Sequence, residues 1–307
     1  MNAIEDAIVR TVIYADMFDF PMTAREITHF LIADTPYTLD QIEHTLIHSP
    51  SLRQILETRD GIYFCCGRSD TLHTRRTREK ASAQLWHHAL KYGGWLAYLP
   101  FVRMVALTGA LAMRNAATHT DDLDYVLVTA PRRVWLARAF AVLLVRIVKL
   151  RGIVICPNYV LAETALTQQT RDLFIAHELV QMMPLYGNSL YQQMRAENAW
   201  VQAYMPNASG AFFDEAPCGT HPVGLGLKWI LERLLSGGIG DALEQWEQRR
   251  KRKRFAKAVK TAHSAAQLDA EHVKGHFNDH GHPVLVKYRD CLQNYGVDQS
   301  ALPLAGD

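Results

Sequence analysis

An alternation of strand-like and helix-like segments between residues 102 and 183 most limits the folds that this chain can adopt. The strand-like segments are VRMVALTG, DLDYVLVT and GIVICPNYVLA. A long helix from about Arg132 to Lys149 separates the last two strands, and the helix TRDLFIAHELVQMM follows them. Strands and helices that alternate in this way form a sheet covered by helices. The pattern therefore predicts an α/β class for this part of the chain.

The first 75 residues predict a smaller unit of three helices and a hairpin. The second helix opens with Thr23 and Glu26 in capping-box spacing, and the third starts at Thr38, with Gln41 in the same spacing. Asp60-Gly61 then separates two strand-like runs, which is the pattern of a type I′ hairpin turn. Three helices and a hairpin resemble a winged helix, which binds DNA or docks on other proteins. The third helix, TLDQIEHTLIHS, has no Lys or Arg, which favours docking.

Two further segments divide the rest of the chain. We predict a linking helix over about residues 76–97 that ends near Gly93-Gly94. Beyond Pro184 the periodicity becomes mostly helical, and the tail after about Asp269 is rich in His. The predicted regions are therefore a winged-helix-like module (1–75), a core with its linking helix (76–183) and a helical C-terminal region (184–307).

Composition limits the compartment and the partners. The 33 Lys and Arg against 31 Asp and Glu give a net charge of +2, which favours neither nucleic acid nor membrane for the chain as a whole. Five cysteines without a CxxC pair indicate reduced thiols. The most apolar segment, from Val134 to Leu150, contains Arg138, Arg146 and Lys149 and is too short to span a bilayer. We expect a cytoplasmic protein without a membrane partner.

Asp122 and Asp124 lie at the start of the predicted strand DLDYVLVT. Side chains two apart on a strand point to the same side, so the two carboxylates should project together. Their mutual repulsion would be relieved by a divalent cation such as Mg²⁺, which binds carboxylates together with phosphate oxygens. The alternative is structural, with Asp121, Asp122 and Asp124 keeping a loop-to-strand junction solvated.

Gly109 ends the preceding strand and is followed directly by a helix-forming run, ALAMRNA. A glycine at such a turn lets backbone amides approach an anion, and the positive end of the helix dipole adds to that attraction. The turn is a candidate phosphate site.

These two motifs together resemble the nucleotidyltransferase superfamily, the polymerase-β-like fold. That family has a hydrophobic-Gly-[Gly/Ser] motif followed by [Asp/Glu]-hydrophobic-[Asp/Glu]-hydrophobic. The matches are Leu107-Thr108-Gly109-Ala110 and Asp122-Leu123-Asp124-Tyr125. More loosely, the whole layout looks like bacterial stand-alone nucleotidyltransferase-like proteins with a winged-helix-like start. The resemblance implies an α+β fold with a small mixed-sheet core.

The resemblance also implies an activity and its ligands. Asp122 and Asp124 would hold two Mg²⁺ ions, and Thr108, Gly109 and Ala110 would bind the phosphates of a nucleoside triphosphate. An acceptor hydroxyl would attack the α-phosphorus and release pyrophosphate. Glu163 is the candidate for the family's third metal-binding carboxylate, with helix capping as its alternative role. Ala110 replaces the usual Gly or Ser, and this departure favours the second hypothesis, a noncatalytic relative that binds a nucleotide or a partner as a regulator.

Arg132 and Arg133 lie at a predicted helix start, an unfavourable position for cations, which indicates a nearby anion. A bound triphosphate would serve, and solvated arginines are the alternative.

The run QRRKRKR, from Gln248 to Arg254, continues with Lys257 and Lys260 on the same predicted helix. It could bind an RNA or protein acceptor, and the alternative is that it forms a solvated helix face. His272, His276, His280 and His282 with Asp279 match no zinc spacing. His177, in HELVQ, lacks the second His of a metalloprotease motif and is interpreted as a packing or surface residue. The sequence leaves the nucleotide, the acceptor and the oligomeric state open.

Overall fold

The computed structural model describes residues 1–213, 218, 221–259, 267–274 and 281–297. The predictions made for His276, Asp279, His280 and Lys260 lie outside these residues, and so does the side chain of Lys257. Among the residues that the structure describes, no helix combines the length and the apolar character that crossing a bilayer requires.

The N-terminal unit contains three helices and a three-stranded antiparallel sheet. The helices are α1 (Ala3–Asp16), α2 (Ala24–His29) and α3 (Leu39–His48). The strands are β1 (Met22–Thr23), β2 (Leu56–Arg59) and β3 (Ile62–Cys65), in the order β1-β3-β2. Both predicted capping boxes form, because the side chains of Thr23 and Thr38 accept from the backbone three residues on. The turn residues Asp60 and Gly61 have φ values of 55° and 73°, as a type I′ turn requires.

Helix α4 (Thr71–Ala97) connects this unit to the central sheet and ties the two together. Arg75 donates from both terminal nitrogens to the buried Glu26 carboxylate of α2, at 2.8 and 2.9 Å. Arg78 of α4 donates to Asp19 in the loop after α1, and Arg68, which precedes α4, donates to the same side chain. Arg75 and Arg78 therefore fix α2 and the loop after α1 to helix α4.

The predicted end of this helix at Gly93-Gly94 is wrong, because α4 continues through both glycines to Ala97. A Cβ on Gly93 would lie 2.6 Å from Leu185 Cδ1, so the absence of a side chain permits close packing on the sheet. Glycine in this helix therefore serves packing rather than termination.

The central sheet is mixed and has six strands in the order β7-β4-β5-β6-β9-β8. β5 and β6 are parallel, and the other neighbouring pairs are antiparallel. The class is therefore α+β with a mixed sheet. The strands are β4 (Val102–Leu107), β5 (Leu123–Thr129), β6 (Ile155–Ala162), β7 (Met183–Tyr186), β8 (Gln267–Leu268) and β9 (His272–Lys274).

Three of these strands, β7, β8 and β9, were not predicted. β7 begins two residues after the preceding helix ends, and its residues, MPLY, continue the apolar sequence of that helix. Periodicity cannot separate so short a strand from a helix end. The helices around the sheet are α5 (Gly109–Ala112), α6 (Val134–Lys149), α7 (Leu173–Gln181), α8 (Asn188–Glu197), α9 (Pro222–Leu235), α10 (Gly238–Val259) and α11 (Gly281–Asn294).

The two faces of the sheet belong to two apolar cores. On β5, Leu123, Tyr125 and Leu127 pack in the core that contains α4 and α6. Val126 and Val128 belong to the other core, which contains the N-terminal unit, α7 and α11. Because side chains alternate along a strand, Asp124 lies on this second face.

Helix α10 packs along α6 on the first face. Glu244 accepts from the backbone N–H groups of Trp135 and Leu136 at 2.9 and 2.7 Å, which satisfies the N-terminus of α6. Glu247, further along α10, acts electrostatically on Arg138, further along α6. The two helices therefore run in the same direction.

Gly187 connects β7 to α8 and provides a test of this packing. Its φ is +78°, and a Cβ there would lie 2.2 Å from the Arg103 carbonyl oxygen and 2.9 Å from Met104 Cα. Gly152 has a similar φ of +76° with no atom within 4 Å of such a Cβ.

We expect Gly187→Ala to lower the free energy of unfolding by about 3 kcal/mol or more, and Gly152→Ala by only about 1–2 kcal/mol. The second value is the cost of left-handed backbone alone, and the clash with immovable backbone adds to the first. Urea unfolding of both variants measures the difference. Equal losses in the free energy of unfolding would show that the contact between β4 and Gly187 leaves room for a methyl group.

Candidate functional site

The pairing of β4, β5 and β6 decides which predicted site residues share an edge of the sheet. Leu107 at the end of β4 pairs with Tyr125 near the start of β5, and the Thr108 N–H donates to the Asp124 carbonyl oxygen at 3.0 Å. The end of β4 and the start of β5 therefore lie together. This brings the glycine motif and the aspartate motif to one edge, which we call the aspartate edge.

Gly109 lies directly against the carboxylate of Asp124. Its φ is +68°, in the left-handed region that favours glycine. A Cβ built on Gly109 would be 2.6 Å from Asp124 Oδ2 and 3.4 Å from Asp124 Cβ. Two separate physical reasons, backbone conformation and space, therefore require glycine here. The exposed Ala110 follows it at the start of α5.

Asp124 is the most perturbed of the candidate carboxylates. Burial raises the pKa of Asp124 to about 6, and the negative charges of Asp122 and Asp121 act in the same direction. The side-chain amide of Asn158 on β6 opposes the rise in pKa by donating to Asp124 Oδ1 at 2.6 Å. Ionised Asp124 is thus poorly compensated within the described residues, and a cation beside it would stabilise the charged form.

The neighbouring aspartates have different environments. Asp121 accepts from the Ala117 and Thr118 N–H groups and from the Thr118 hydroxyl, at 2.6, 3.2 and 2.7 Å. It closes the loop before β5 and has a structural role. Asp122 is exposed directly before β5. Asp122 and Asp124 therefore remain the pair that can share a cation.

The donor set fits Mg²⁺ held jointly by protein and substrate. In the described part of the chain, no group of three or more His, Cys, Asp or Glu side chains could hold a metal ion. A site built by protein alone is therefore not formed there. Mg²⁺ commonly binds one or two carboxylates and completes its octahedron with water and substrate phosphates. Asp122 and Asp124 would provide those carboxylates.

The prediction that Glu163 is a metal ligand is wrong. Asp124 pairs with Cys156 at the start of β6, and Glu163 follows the end of that strand. Glu163 lies seven residues further along the chain than Cys156, which is about 23 Å in extended strand. The Glu163 N–H donates to the Thr129 carbonyl oxygen, at the edge of the sheet opposite Asp124.

The prediction that Arg132 and Arg133 bind the triphosphate is also wrong, because both follow the end of β5 at this opposite edge. The anion that they contact is the Asp241 carboxylate of α10, at 3.2 Å from Arg132 and 2.7 Å from Arg133. Arg133 is buried, donates to the Ser236 carbonyl oxygen and lies over the Phe101 ring. The expected nearby anion is present, but it belongs to the protein.

Glu178 on α7 was missed by the sequence analysis. Burial raises the pKa of Glu178 to about 7, Lys274 opposes this rise, and the charge of Asp124 adds to it. Glu178 is therefore within electrostatic reach of the aspartate edge. No local signal could reveal this, because the position of α7 relative to β5 depends on tertiary packing. Its neighbour His177 is buried and stacked on Tyr14, as a packing residue would be.

Comparison with known proteins adds no identification. No protein-family model, no curated protein and no solved structure matches this chain.

The raised pKa of Asp124 gives a test at this site. A carboxyl whose folded pKa lies above its unfolded value destabilises the fold when it ionises, so stability should fall as pH rises from about 4 through 6. We expect Asp124→Asn to be more stable than the wild type by about 1–2 kcal/mol at pH 7.5 and equally stable near pH 4. Mg²⁺ should then raise the Tm of the wild type and leave that of Asp124→Asn unchanged. Urea unfolding and thermal melts measure both effects, and an identical Mg²⁺ response in the two proteins would contradict the assignment.

Proposed function

We propose that this protein is a Mg²⁺-dependent nucleotidyltransferase with a winged-helix-like N-terminal module. One observation carries the proposal: the Gly109 turn and the poorly compensated carboxylate of Asp124 are in contact at one edge of the sheet, with Asp122 exposed beside them. The two motifs come from different strands, and their contact is what a shared phosphate and cation site requires. Thr108 and Ala110 flank the turn on either side.

The proposed reaction transfers a nucleoside monophosphate to a hydroxyl. The hydroxyl oxygen attacks the α-phosphorus of a nucleoside triphosphate and loses its proton to water, the bond from that phosphorus to the bridging oxygen breaks, and pyrophosphate leaves with the electron pair. Bound Mg²⁺ would neutralise charge that develops on the phosphate oxygens. Asp122 and Asp124 would hold the cation, and the Gly109 turn would bring backbone close to the phosphates. Asn158 orients Asp124 by donating to its carboxylate.

A noncatalytic protein that binds a nucleotide or a partner is the alternative. Ala110 favours it, since a Gly or Ser at this position is usual in the family that the chain resembles. Label transfer separates the two functions, because a regulator would bind nucleotide without consuming it.

We expect the wild type to transfer label from at least one α-labelled nucleoside triphosphate in the presence of Mg²⁺. Asp122→Asn and Asp124→Asn should each lower the rate by on the order of a hundredfold or more, because a shared cation loses its coordination when either carboxylate is removed. Glu163→Gln is the matched control and should retain full activity, since Glu163 lies at the opposite edge. Nucleotide binding without transfer in the wild type would favour the regulator. If both Asn variants bound nucleotide with unchanged Mg²⁺ dependence, Asp122 and Asp124 would not be metal ligands.

A polyanionic partner for α10 is a second proposal. Lys251 is buried beside Glu247, and Arg250 donates to the same carboxylate, so two of the six cations serve the fold. Arg252, Lys253 and Arg254 are exposed in succession. Since α10 runs in the direction of α6, which leads back toward the start of β6, these three residues lie toward the end of α10 that is nearer the aspartate edge. RNA or an acidic protein segment would neutralise them.

Replacing Arg252, Lys253 and Arg254 with Gln should leave nucleotide affinity unchanged and weaken RNA binding. The slope of log affinity against log salt should fall by up to about three, because each lost phosphate contact removes about one unit. Replacing the exposed Arg25, Arg59 and Lys80 instead changes the net charge equally and serves as the control. Titrations at several salt concentrations measure the slopes. Equal losses in both triple variants would show that RNA binds by overall charge rather than by α10.

A further inference from the structure

Helix α6 and the residue after it expose a row of large apolar side chains to solvent. The row consists of Leu143, Ile147 and Leu150, at spacings of four and three residues. Leu143 and Leu150 each come two residues after Ala141 and Val148, which are buried in the core between α6 and the sheet. Two residues correspond to about 200° around a helix. The exposed row therefore lies on the side of α6 that faces away from the sheet.

Helix α10 exposes a second row with the same spacings, formed by Ile239, Leu243 and Trp246. Trp246 and Gln248 lie on either side of Glu247, the residue that faces α6. Gln248 donates to the carbonyl oxygen of Asp269 at 3.2 Å, and Asp269 follows strand β8. The Gln248 side of α10 is therefore the side toward the sheet. Trp246 is about 200° away around the helix, so the second row also faces away from the sheet.

The acidic side chains of α10 are all turned toward the fold, and α6 has none. Within Val134–Lys149 there is no Asp or Glu, and within Gly238–Val259 there are three. Asp241 pairs with Arg133, and Glu244 accepts from the backbone at the start of α6. Glu247 is buried beside Lys251. The carboxylates of the two helices therefore contribute little negative charge to the side that carries the apolar rows.

Exposed cations accompany both rows. Arg146 lies within the row of α6, between Leu143 and Ile147. Lys253 and Arg254 come seven and eight residues after Trp246, so they share its side of α10. We call this combined surface the outward face. Its members are Leu143, Ile147, Leu150, Ile239, Leu243 and Trp246 with the cations Arg146, Lys253 and Arg254.

An anionic lipid bilayer matches both properties of the outward face. Apolar rows beside Lys, Arg and Trp are typical of helices that lie in a membrane interface, and anionic headgroups attract the cations. A second copy that used the same surface would bring the cations of two outward faces together. RNA would neutralise the cations, but it would leave the apolar rows in water. Scattered single apolar residues are normal on a protein surface, whereas rows on one face indicate a partner.

We propose that the outward face docks this protein on a membrane that contains anionic lipid, with α6 and α10 lying at the headgroup layer. The inference goes beyond the proposed function and does not depend on nucleotide transfer. The expectation of no membrane partner came from the net charge of +2 for the whole chain, whereas the outward face collects cations locally. Docking there leaves the second face of the sheet, which bears Asp124, in water.

Sedimentation with lipid vesicles tests the partner. The full-length chain should bind vesicles of equal parts phosphatidylcholine and phosphatidylglycerol about tenfold or more tightly than vesicles of phosphatidylcholine alone. Added salt should weaken this binding, because it screens the charges. Equal binding to both kinds of vesicle would overturn the inference. Binding to RNA without binding to the anionic vesicles would also overturn it.

The double variant Leu143→Gln, Ile147→Gln tests the apolar row. These side chains are 55% and 47% exposed, so the variant should keep the Tm of the wild type. Its affinity for the anionic vesicles should fall about tenfold or more, because two apolar side chains no longer leave water on docking. The matched control is Ile47→Gln, Val286→Gln, whose side chains are 56% and 39% exposed on α3 and α11. Wild-type affinity for the vesicles in the Leu143→Gln, Ile147→Gln variant would overturn docking by this face.

The double variant Arg146→Gln, Lys253→Gln tests the cations. Its affinity for the anionic vesicles should fall on the order of 25-fold, because each cation near a charged membrane surface contributes about fivefold. Arg25→Gln, Lys80→Gln removes the same charge from exposed positions elsewhere and should change the affinity little. Equal losses in the two double variants would show that attraction by overall charge, rather than the outward face, causes the binding.

Sedimentation velocity without vesicles distinguishes a second copy of the chain from lipid. Any self-association should be the same in the wild type and in Leu143→Gln, Ile147→Gln. A dimer that dissociates in this variant would assign the outward face to a second copy and overturn the lipid assignment.

Discussion

The parallel pairing of β5 with β6, next to the antiparallel pairing of β5 with β4, is the constraint on which the functional argument depends. It places the start of β5 beside the end of β4 and the start of β6. Two edges of one sheet thereby acquire different chemistry. One edge carries poorly compensated carboxylates and the Gly109 turn, and the other has Arg133 matched to Asp241 and joined to the α9–α10 connection. A residue's distance from β5 along the chain does not reveal to which edge it belongs.

This constraint explains which parts of the site could be predicted from sequence. The link between Gly109 and Asp124 was predictable, because a strand, a short connection and a second strand bring their adjoining ends together. Glu163, Arg132 and Arg133 were assigned to the same site because they lie near strand ends in the sequence. The strand direction puts them on the far edge, because both strands end there. The position of the two arginines at a helix start correctly indicated a nearby anion. A ligand and a side chain satisfy that requirement equally, so the sequence could not distinguish them.

The fold shows the same division between local and distant determinants. Capping boxes at Thr23 and Thr38 and the Asp60-Gly61 turn depend on neighbours within four residues, and they form as predicted. The end of α4 was predicted wrongly, because Gly93 interacts with Leu185, a residue far along the chain. Strands β8 and β9 are too short to show a sequence period. β9 forms by pairing with β6, and β8 forms by pairing with β9. The position of Glu178 near Asp124 required distant segments to meet, so no motif could have revealed it.

The arginines that join α4 to the N-terminal unit also determine how separable that unit is. Arg75 holds Glu26, and Arg78 holds the loop at Asp19, between Phe18 and Phe20, which line a cavity of about 300 Å³ between the N-terminal unit and the core. Half of the cavity wall therefore belongs to a segment that the core fixes by ion pairs. Exchanging the first 70 residues for those of another protein would discard that wall, even if the replacement had the same helices and hairpin. In evolutionary terms, the shape of the cavity is a joint property of the N-terminal unit and the core.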